Sequence, residues 1–121
     1  MGNFFHPITL IAPGARPETI EAMVDTGAMF TVIPAPILES LGVRPFRTML
    51  VRFANGEVEQ WPLGQVEAAL LGARMPILVF FGSADAPALI GAHTLEAFLL
   101  SVDMLEKKLL PKEALLMGVA A

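Results

Sequence analysis

The sequence predicts an all-β domain, because many short strand-like segments, an Asn-Gly hairpin signal and very little helix indicate a small closed barrel or sandwich with one or two short helices. The chain has 121 residues and no cysteine. That length predicts one domain over residues 1–121. The lack of cysteine excludes a disulfide framework and a thiolate metal site.

The first part of the chain alternates apolar segments with turn residues. A stretch rich in proline and glycine, 13–17, marks the first turn. A short helix follows the third strand, because Pro36 is tolerated in a first helical turn and Gly42 supplies a stop after Leu41. The predicted strands of this part are 4–12, 20–24 and 30–33.

The second part contains the hairpin signal Asn55-Gly56, a pair that favours positive φ at both central positions of a two-residue turn. Two further strands are predicted on either side of Gly72, followed by a helix over 93–99. A hairpin over 100–110 with the polar centre 106–108 ends the pattern. The predicted strands before the helix are 49–54, 58–61, 65–71 and 74–81.

The composition excludes several classes of function. The formal net charge of −4 argues against a nucleic-acid surface, and the two histidines, His6 and His93, are too few for an ordinary zinc site, so we expect no metal and no other cofactor. No apolar run approaches the roughly 20 residues that span a bilayer, and no signal peptide is visible, so we expect a cytoplasmic protein outside the membrane. Hydrophobic residues still make up 55% and the mean hydropathy is +0.63, which favours an apolar oligomer interface.

The tetrapeptide Asp25-Thr26-Gly27-Ala28 is the most informative segment. It lies between the apolar strand-like segments 20–24 and 30–33. A carboxylate between two buried strands is costly unless it is hydrogen-bonded or used in chemistry. Asp and Gly also mark ordinary turns, so this segment alone does not distinguish a turn from a catalytic loop.

Six motifs along the chain extend this signal. They are Ala-Met-Val-Asp-Thr-Gly-Ala at 22–28, Thr-Val-Ile-Pro at 31–34, Leu-Gly-Val at 41–43, Ala-Leu-Ile-Gly at 88–91, Ser-Val-Asp at 101–103 and Leu-Leu-Pro at 109–111. In this order they resemble the retropepsin-like (clan AA) aspartic proteases, over nearly the whole chain. The chain looks closest to the stand-alone bacterial members and to the protease domain of the DNA-damage-inducible ubiquitin-shuttle proteins.

The resemblance implies a small closed acid-protease barrel and roles for the matching positions. Asp25 matches the catalytic aspartate, and Thr26 matches the residue whose hydroxyl joins two active-site loops across a dimer. Gly27 matches the glycine that lets the substrate backbone pass close by, and Ala28 completes this loop. The Asn-Gly hairpin matches the flap that closes over substrate, with the residues Phe53, Ala54, Asn55, Gly56, Glu57 and Val58.

Two positions depart from the retroviral pattern. Retroviral enzymes usually have an acidic residue directly after Asp-Thr-Gly-Ala and an arginine directly after the glycine at the helix entry. This chain has Met29 and Ala92 there. Because acid and base are absent together, we expect an apolar contact in place of a structural ion pair.

The number of aspartates predicts the assembly. Peptide hydrolysis by an aspartic protease needs two carboxyl groups that share one proton. Asp85 is expected in a turn, and Asp103 is expected to pair at the surface with Lys107 or Lys108; neither aspartate is followed by Thr-Gly or Ser-Gly. The second carboxyl must therefore come from Asp25 of another copy, in a two-fold homodimer.

Several apolar side chains are candidates for substrate subsites. Met29, Ile33 and Ile90 fit such a role, and they fit a plain core position as well. Phe53 could face the site or the outer surface of the flap. Trp61 could support the base of the flap or occupy an ordinary strand position.

Two functions fit these features. The first is an aspartic endopeptidase that hydrolyses peptide or protein substrates as a homodimer. The second is a catalytically weak or inactive module of the same fold, used for binding or dimerisation. The intact Asp-Thr-Gly favours the endopeptidase, because a binding module does not need a buried carboxylate.

Overall fold

The computed structural model describes residues 3–113. Neither helix within that range is long and apolar enough to cross a bilayer. The elements are β1 (Phe5–Ile11), β2 (Glu18–Val24), β3 (Thr31–Pro34), α1 (Ala35–Ser40), β4 (Arg47–Arg52), β5 (Val58–Leu70), β6 (Ala73–Gly82), β7 (Leu89–Ile90), α2 (Ala92–Ala97), β8 (Leu100–Asp103) and β9 (Lys108–Pro111).

Six of the strands close into a barrel. Around the ring the order is β1, β2, β7, β3, β6 and β5, and antiparallel pairing of β5 with β1, with Thr9 opposite Ala69, completes the circle. The β2–β7 and β3–β6 pairs are parallel. Strand β4 lies outside the ring and pairs only with β5, while β8 and β9 form a separate hairpin. The prediction of an all-β closed barrel with two short helices is confirmed.

Strand β6 contributes side chains to two apolar clusters, because it is buried on both faces. Ile77, Val79 and Phe81 belong to the main core inside the barrel. Phe80 points the other way and forms a smaller cluster with Val32 and Leu63. This second cluster underlies the groove described below.

The predicted break between two strands at 62–64 is wrong, because β5 is one strand of 13 residues. Pro62 pairs with Thr48 of β4, whereas pairing with β6 begins only at Leu63. The missing N–H of Pro62 is tolerated because the strand has a free side at this point. Glycine suits position 64 because it has no Cβ. A Cβ at Gly64 would lie only 3.2 Å from the carbonyl oxygen of Arg44, which is a tight contact.

The loop at Asn55-Gly56 differs from the predicted two-residue turn. Gly56 has φ +93°, but Asn55 does not have a positive φ. The N–H of Gly56 donates to the carbonyl of Phe53 (2.9 Å), and the N–H of Phe53 donates to the carbonyl of Glu57 (2.8 Å). The loop over 53–57 is therefore a turn followed by a single glycine with positive φ.

The two-residue turn with positive φ at both positions joins β5 to β6 instead. Leu71 has φ +47° and Gly72 has φ +81°, between the paired residues Leu70 and Ala73. The sequence did not reveal this turn, since leucine is rarely found in the left-handed region.

Both helices are short. Helix α1 ends as predicted at Gly42, whose N–H donates to the carbonyl of Glu39 (3.0 Å) while the N–H of Val43 donates to that of Leu38 (3.0 Å). These are the two hydrogen bonds of a Schellman motif. Helix α2 begins one residue before the predicted range of 93–99 and ends two residues before its end. It does not continue to residue 99, because Leu99 adopts φ +54°.

The terminal hairpin is present, but Lys108 begins β9 and the turn precedes it. Asp103 stabilises this turn, since its Oδ1 accepts hydrogen bonds from the N–H groups of Leu105 and Glu106 (both 3.0 Å). The predicted surface pair of Asp103 with a lysine is wrong. The two salt bridges within residues 3–113 join Arg74 to Glu67 and Lys112 to Glu96.

Candidate active site

The Asp25 loop (residues 25–28) lies between the end of β2 and the start of β3. The N–H of Asp25 donates to the carbonyl of Ile90 (3.0 Å), which fixes the loop to β7. The N–H of Gly27 donates to Oδ1 of Asp25 (2.9 Å), and the N–H of Ala28 donates to the Asp25 carbonyl (3.2 Å). The half-buried carboxylate is thus oriented by the backbone of its own loop.

Two buried threonines hold the start of β3 to the chain around α2. The hydroxyl of Thr31 accepts a hydrogen bond from the N–H of Gly91 (3.1 Å) and lies 2.6 Å from the hydroxyl of Thr94. Both side chains are fully buried. A buried N–H group is costly without a partner, so the Thr31 hydroxyl is part of what positions this corner of the fold.

Gly91 allows the backbone to pass close to the segment after the Asp25 loop. A Cβ at this position would lie 2.5 Å from the carbonyl carbon and oxygen of Phe30, a distance that no side chain tolerates. The N–H of Ala92 donates to the carbonyl of Ala28, and the N–H of His93 donates to that of Met29 (both 2.8 Å). These two segments are therefore joined by main-chain hydrogen bonds.

The expected apolar contact between Met29 and Ala92 is wrong. The side chain of Met29 is 70% exposed, and it faces a groove. The backbone bonds just described take over the role that we expected an apolar contact to fill.

The groove of about 470 Å³ runs between the Asp25 loop and the hairpin formed by β4 and β5. Aromatic rings form much of its wall: the ring centroid of Trp61 lies 5.7 Å from that of Phe53 and 5.9 Å from that of Phe80, and Phe80 lies 5.5 Å from Phe30. All three pairs meet edge to face. The lining residues are Gly27, Ala28, Met29, Phe30, Val32, Met49, Leu50, Val51, Arg52, Phe53, Trp61, Phe80 and Leu89.

Some of the predicted site residues meet at this groove. Gly27, Ala28, Met29 and Phe53 line it, so Phe53 faces the groove. Trp61 packs against Phe53, at the base of the hairpin. The rest of the hairpin loop is exposed and does not contribute to the lining; its residues are Ala54, Asn55, Gly56, Glu57 and Val58.

Ile33 and Ile90 do not reach the groove. Both side chains are fully buried in the main core, so the prediction that they line subsites is wrong. Each lies on a strand whose neighbouring residue, Val32 or Leu89, faces the groove instead. The side-chain alternation of a strand explains this, because one step along the chain changes the face.

Thr26 faces a different side from the groove. It is exposed and borders a second depression, of about 440 Å³, beside α2 and β8. Asp25 itself lines neither depression, but the two residues that follow it do: Thr26 lines the depression beside α2 and β8, which we call the Thr26 wall, and Gly27 lines the apolar groove.

Sequence reasoning missed most of the groove wall. Met49 and Val51 alternate with exposed residues on β4, which is a detectable signal for a half-buried strand. Phe80 gave no such signal, because it lies in an apolar run that is buried on both faces. Within residues 3–113, no cluster of three or more His, Cys, Asp or Glu side chains could hold a metal ion.

Comparisons with known proteins agree with this geometry. A retropepsin-like aspartic protease from Rickettsia conorii matches with a TM-score of 0.60 and 20% identity, over 85% of this chain and 78% of the other. The retroviral protease-like domain of Ddi1 from Leishmania major matches with a TM-score of 0.61 and 18% identity, over 94% and 91%. The simian foamy virus protease matches with a TM-score of 0.53 and 23% identity, over 75% and 92%. At identities this low, the structural similarity shows a shared fold and nothing more.

The sequence itself carries the family assignment. No curated protein matches it significantly. The family model described as aspartyl protease matches residues 14–100, a span that contains the Asp25 loop, the β4–β5 hairpin and the whole of α2 with its preceding glycine. The chain belongs to the aspartyl protease family and has the retropepsin-like fold.

Proposed function

We propose that this protein is an aspartic endopeptidase in which the Asp25 carboxyls of two identical subunits activate one water molecule. The observation that carries this proposal is the Asp25 carboxylate, which accepts a hydrogen bond from the N–H of Gly27, in a loop whose residues Gly27 and Ala28 line an apolar groove. A half-buried carboxylate oriented in this way is suited to acid–base chemistry on a bound substrate.

A second copy is required because the described chain supplies one suitable carboxylate. Asp85 lies in an exposed turn, and Asp103 uses Oδ1 to cap the β8–β9 turn. No aspartate or glutamate lines the groove. A two-fold axis beside the Asp25 loop would bring the two copies of Asp25 together.

The chemistry then follows from two carboxyl groups that share a proton. Close carboxylates do not both ionise readily, so one is protonated when the other is charged. The ionised group takes a proton from water as the water oxygen attacks the peptide carbonyl carbon. The protonated group donates its proton to the carbonyl oxygen, which leaves a neutral tetrahedral diol. The carboxyl that took the proton from water then donates it to the amide nitrogen while the other carboxylate takes a proton from a diol hydroxyl, so that the C–N bond breaks and the pair again holds one proton.

The surrounding residues would hold the substrate and the dimer. Gly27 lacks a side chain where the substrate backbone would pass, and the exposed Thr26 hydroxyl would reach the loop of the other subunit. The 53–57 loop would serve as a flap that excludes water, with Phe53 seated on Trp61 as its inner face. The aromatic wall favours a large apolar side chain next to the cleaved bond.

The test is the cleavage of a fluorogenic peptide library by the wild type and by Asp25→Asn. The substitution keeps the shape of the side chain and removes its proton chemistry, so we expect kcat/KM to fall by at least about 100-fold. Asp85→Asn is the matched control, since Asp85 is exposed in a turn, and it should retain wild-type activity. Circular dichroism and light scattering would check the fold and the dimer of each variant.

Two results would contradict the proposal. Turnover by Asp25→Asn at the wild-type rate would remove Asp25 from the mechanism. A wild-type protein that is dimeric yet cleaves nothing over a broad pH range would support the alternative, a binding or dimerisation module.

A further inference from the structure

Arg52 is the one charged residue among the side chains that line the groove. The other lining residues are apolar or glycine, and the aromatic wall of Phe53, Trp61 and Phe80 lies beside it. Arg52 is exposed and stands at the end of β4, next to the 53–57 loop. As a lining residue, Arg52 is placed to contact a chain that occupies the groove.

The Arg52 guanidinium is hydrogen-bonded to the loop and has N–H donors left over. One of its nitrogens, Nη1, donates to the carbonyl of Gly56 at 3.2 Å, which ties the group to the loop. A guanidinium has five N–H donors in a rigid fork, so this bond leaves most of them free. A fixed fork loses less conformational entropy on binding than a free side chain does.

No carboxylate within residues 3–113 neutralises this charge. The two salt bridges of that range involve Arg74 and Lys112. Val58, which pairs with Arg52, has Glu57 and Glu59 as its neighbours in the chain, and neither forms a salt bridge with Arg52; Glu59 accepts a hydrogen bond from Nε1 of Trp61 (2.8 Å) instead. In a protein of net charge −4, a cation on a groove wall without an acidic partner is a natural anion contact.

We propose that Arg52 selects substrates with a carboxylate a few residues from the large apolar side chain that occupies the aromatic wall. This inference rests on the proposed function, because it takes the groove to be the place where a peptide binds. It concerns binding alone, so it does not require that the peptide be cleaved. In each case the guanidinium binds a carboxylate. That carboxylate comes either from a Glu or Asp side chain or from the free C-terminus of a peptide.

The experiment compares capped peptides that differ only in Glu or Gln at one position, scanned along the sequence on both sides of a Phe-Leu pair. An uncapped series with the same sequences distinguishes a terminal carboxylate from a side-chain one. Cleavage gives kcat/KM. Binding to the Asp25→Asn variant is read from Trp61 fluorescence, since Trp61 lines the groove and the chain has one tryptophan and no tyrosine.

We expect the wild type to prefer Glu over Gln by about tenfold at one position, as for a charge-assisted hydrogen bond that is partly exposed to solvent. Arg52→Gln should bring this ratio close to one, Arg52→Lys should retain part of it, and Arg52→Glu should reverse it in favour of the Gln peptides. Arg47→Gln is the matched control on the same strand. Arg47 is exposed and does not line the groove, so the preference should persist.

The outcomes separate this inference from the proposed function. A Glu preference in binding that Arg52→Gln removes would support Arg52 even if no peptide were cleaved. Cleavage with no Glu preference at any position, a preference that survives Arg52→Gln, or no peptide binding at all would overturn it.

Discussion

Thr31 and Thr94 show how much of the site depends on single polar side chains away from the carboxylate. Their hydroxyls lie 2.6 Å apart in a fully buried position, and Thr31 also accepts the N–H of Gly91. Gly91 is the residue that lets the chain before α2 pass against Phe30. The geometry of the Asp25 loop therefore depends on a hydroxyl six residues further along the chain.

Thr31→Val tests this dependence. The variant keeps the shape of the side chain but leaves the buried N–H of Gly91 and the hydroxyl of Thr94 without their partner. We expect a loss of about 1–3 kcal/mol in the free energy of unfolding, measured by urea denaturation. Thr19→Val is the matched control, because the Thr9–Thr19 hydroxyl pair (2.7 Å) is exposed to water. Equal losses in the two variants would show that the buried pair has no special role.

Among single residues, sequence patterns pointed to Asp25 as the candidate carboxylate more clearly than they indicated the residues around it. Asp25 was identifiable because Asp-Thr-Gly is a local motif, and its neighbours Gly27 and Met29 do line the groove. The Thr31–Thr94 pair joins residues 63 positions apart, so no local pattern indicated it. For Ile33 and Ile90 the sequence left a subsite and a core position open, and the structure shows the core position; an apolar residue in a strand buried on both sides carries no sign of its direction.

Turns were the elements that sequence patterns predicted least well. Asn55-Gly56 did mark a hairpin, but the structure uses a longer loop with one glycine at positive φ. The tight turn falls at Leu71-Gly72, where leucine occupies a region that asparagine usually fills. The pairing of β5 with β6 and with β1 fixes the register at this turn, so tertiary structure overrides the local preference.

Leu71→Asn should relieve this strain. Leu71 has φ +47° and is 53% exposed, so the substitution gives up little apolar burial. We expect a gain of about 0.5–1 kcal/mol in unfolding free energy, because asparagine tolerates the left-handed region better than leucine does. Leu105→Asn is the control at an exposed turn position without positive φ, and it should give no gain. A destabilised Leu71→Asn would mean that packing at this turn outweighs backbone strain.

For the whole molecule, the closed barrel was predictable and the assembly remains a proposal. The order of motifs anticipated the closed all-β fold, although β5 is longer than expected. The Asp25 loop lines the groove through Gly27 and the Thr26 wall through Thr26, which fits a second copy docked on that wall. Sequence patterns do not describe such a surface, because it is formed by residues from α2, β8 and the Asp25 loop together.

Thr26→Ala tests the proposed dimer. Each subunit would lose one hydrogen bond of about 1 kcal/mol between the loops, so the dimer dissociation constant should rise by about 30-fold. Analytical ultracentrifugation measures this constant, and Thr48→Ala, at an exposed threonine of β4, is the control that should leave it unchanged. Peptide cleavage by a protein that stays monomeric at micromolar concentration would rule out the two-subunit site.

The position of β4 outside the ring of six strands has a consequence for motion. Every strand of the ring has a hydrogen-bonded neighbour on both sides, whereas β4 pairs only with β5, and all of its residues are exposed or half-buried. Bending or lifting of this hairpin breaks no bond that closes the barrel. Opening of the groove can therefore proceed as a local fluctuation that costs far less than global unfolding, on the microsecond-to-millisecond scale typical of such loops, while the carboxylate stays anchored to the rigid ring.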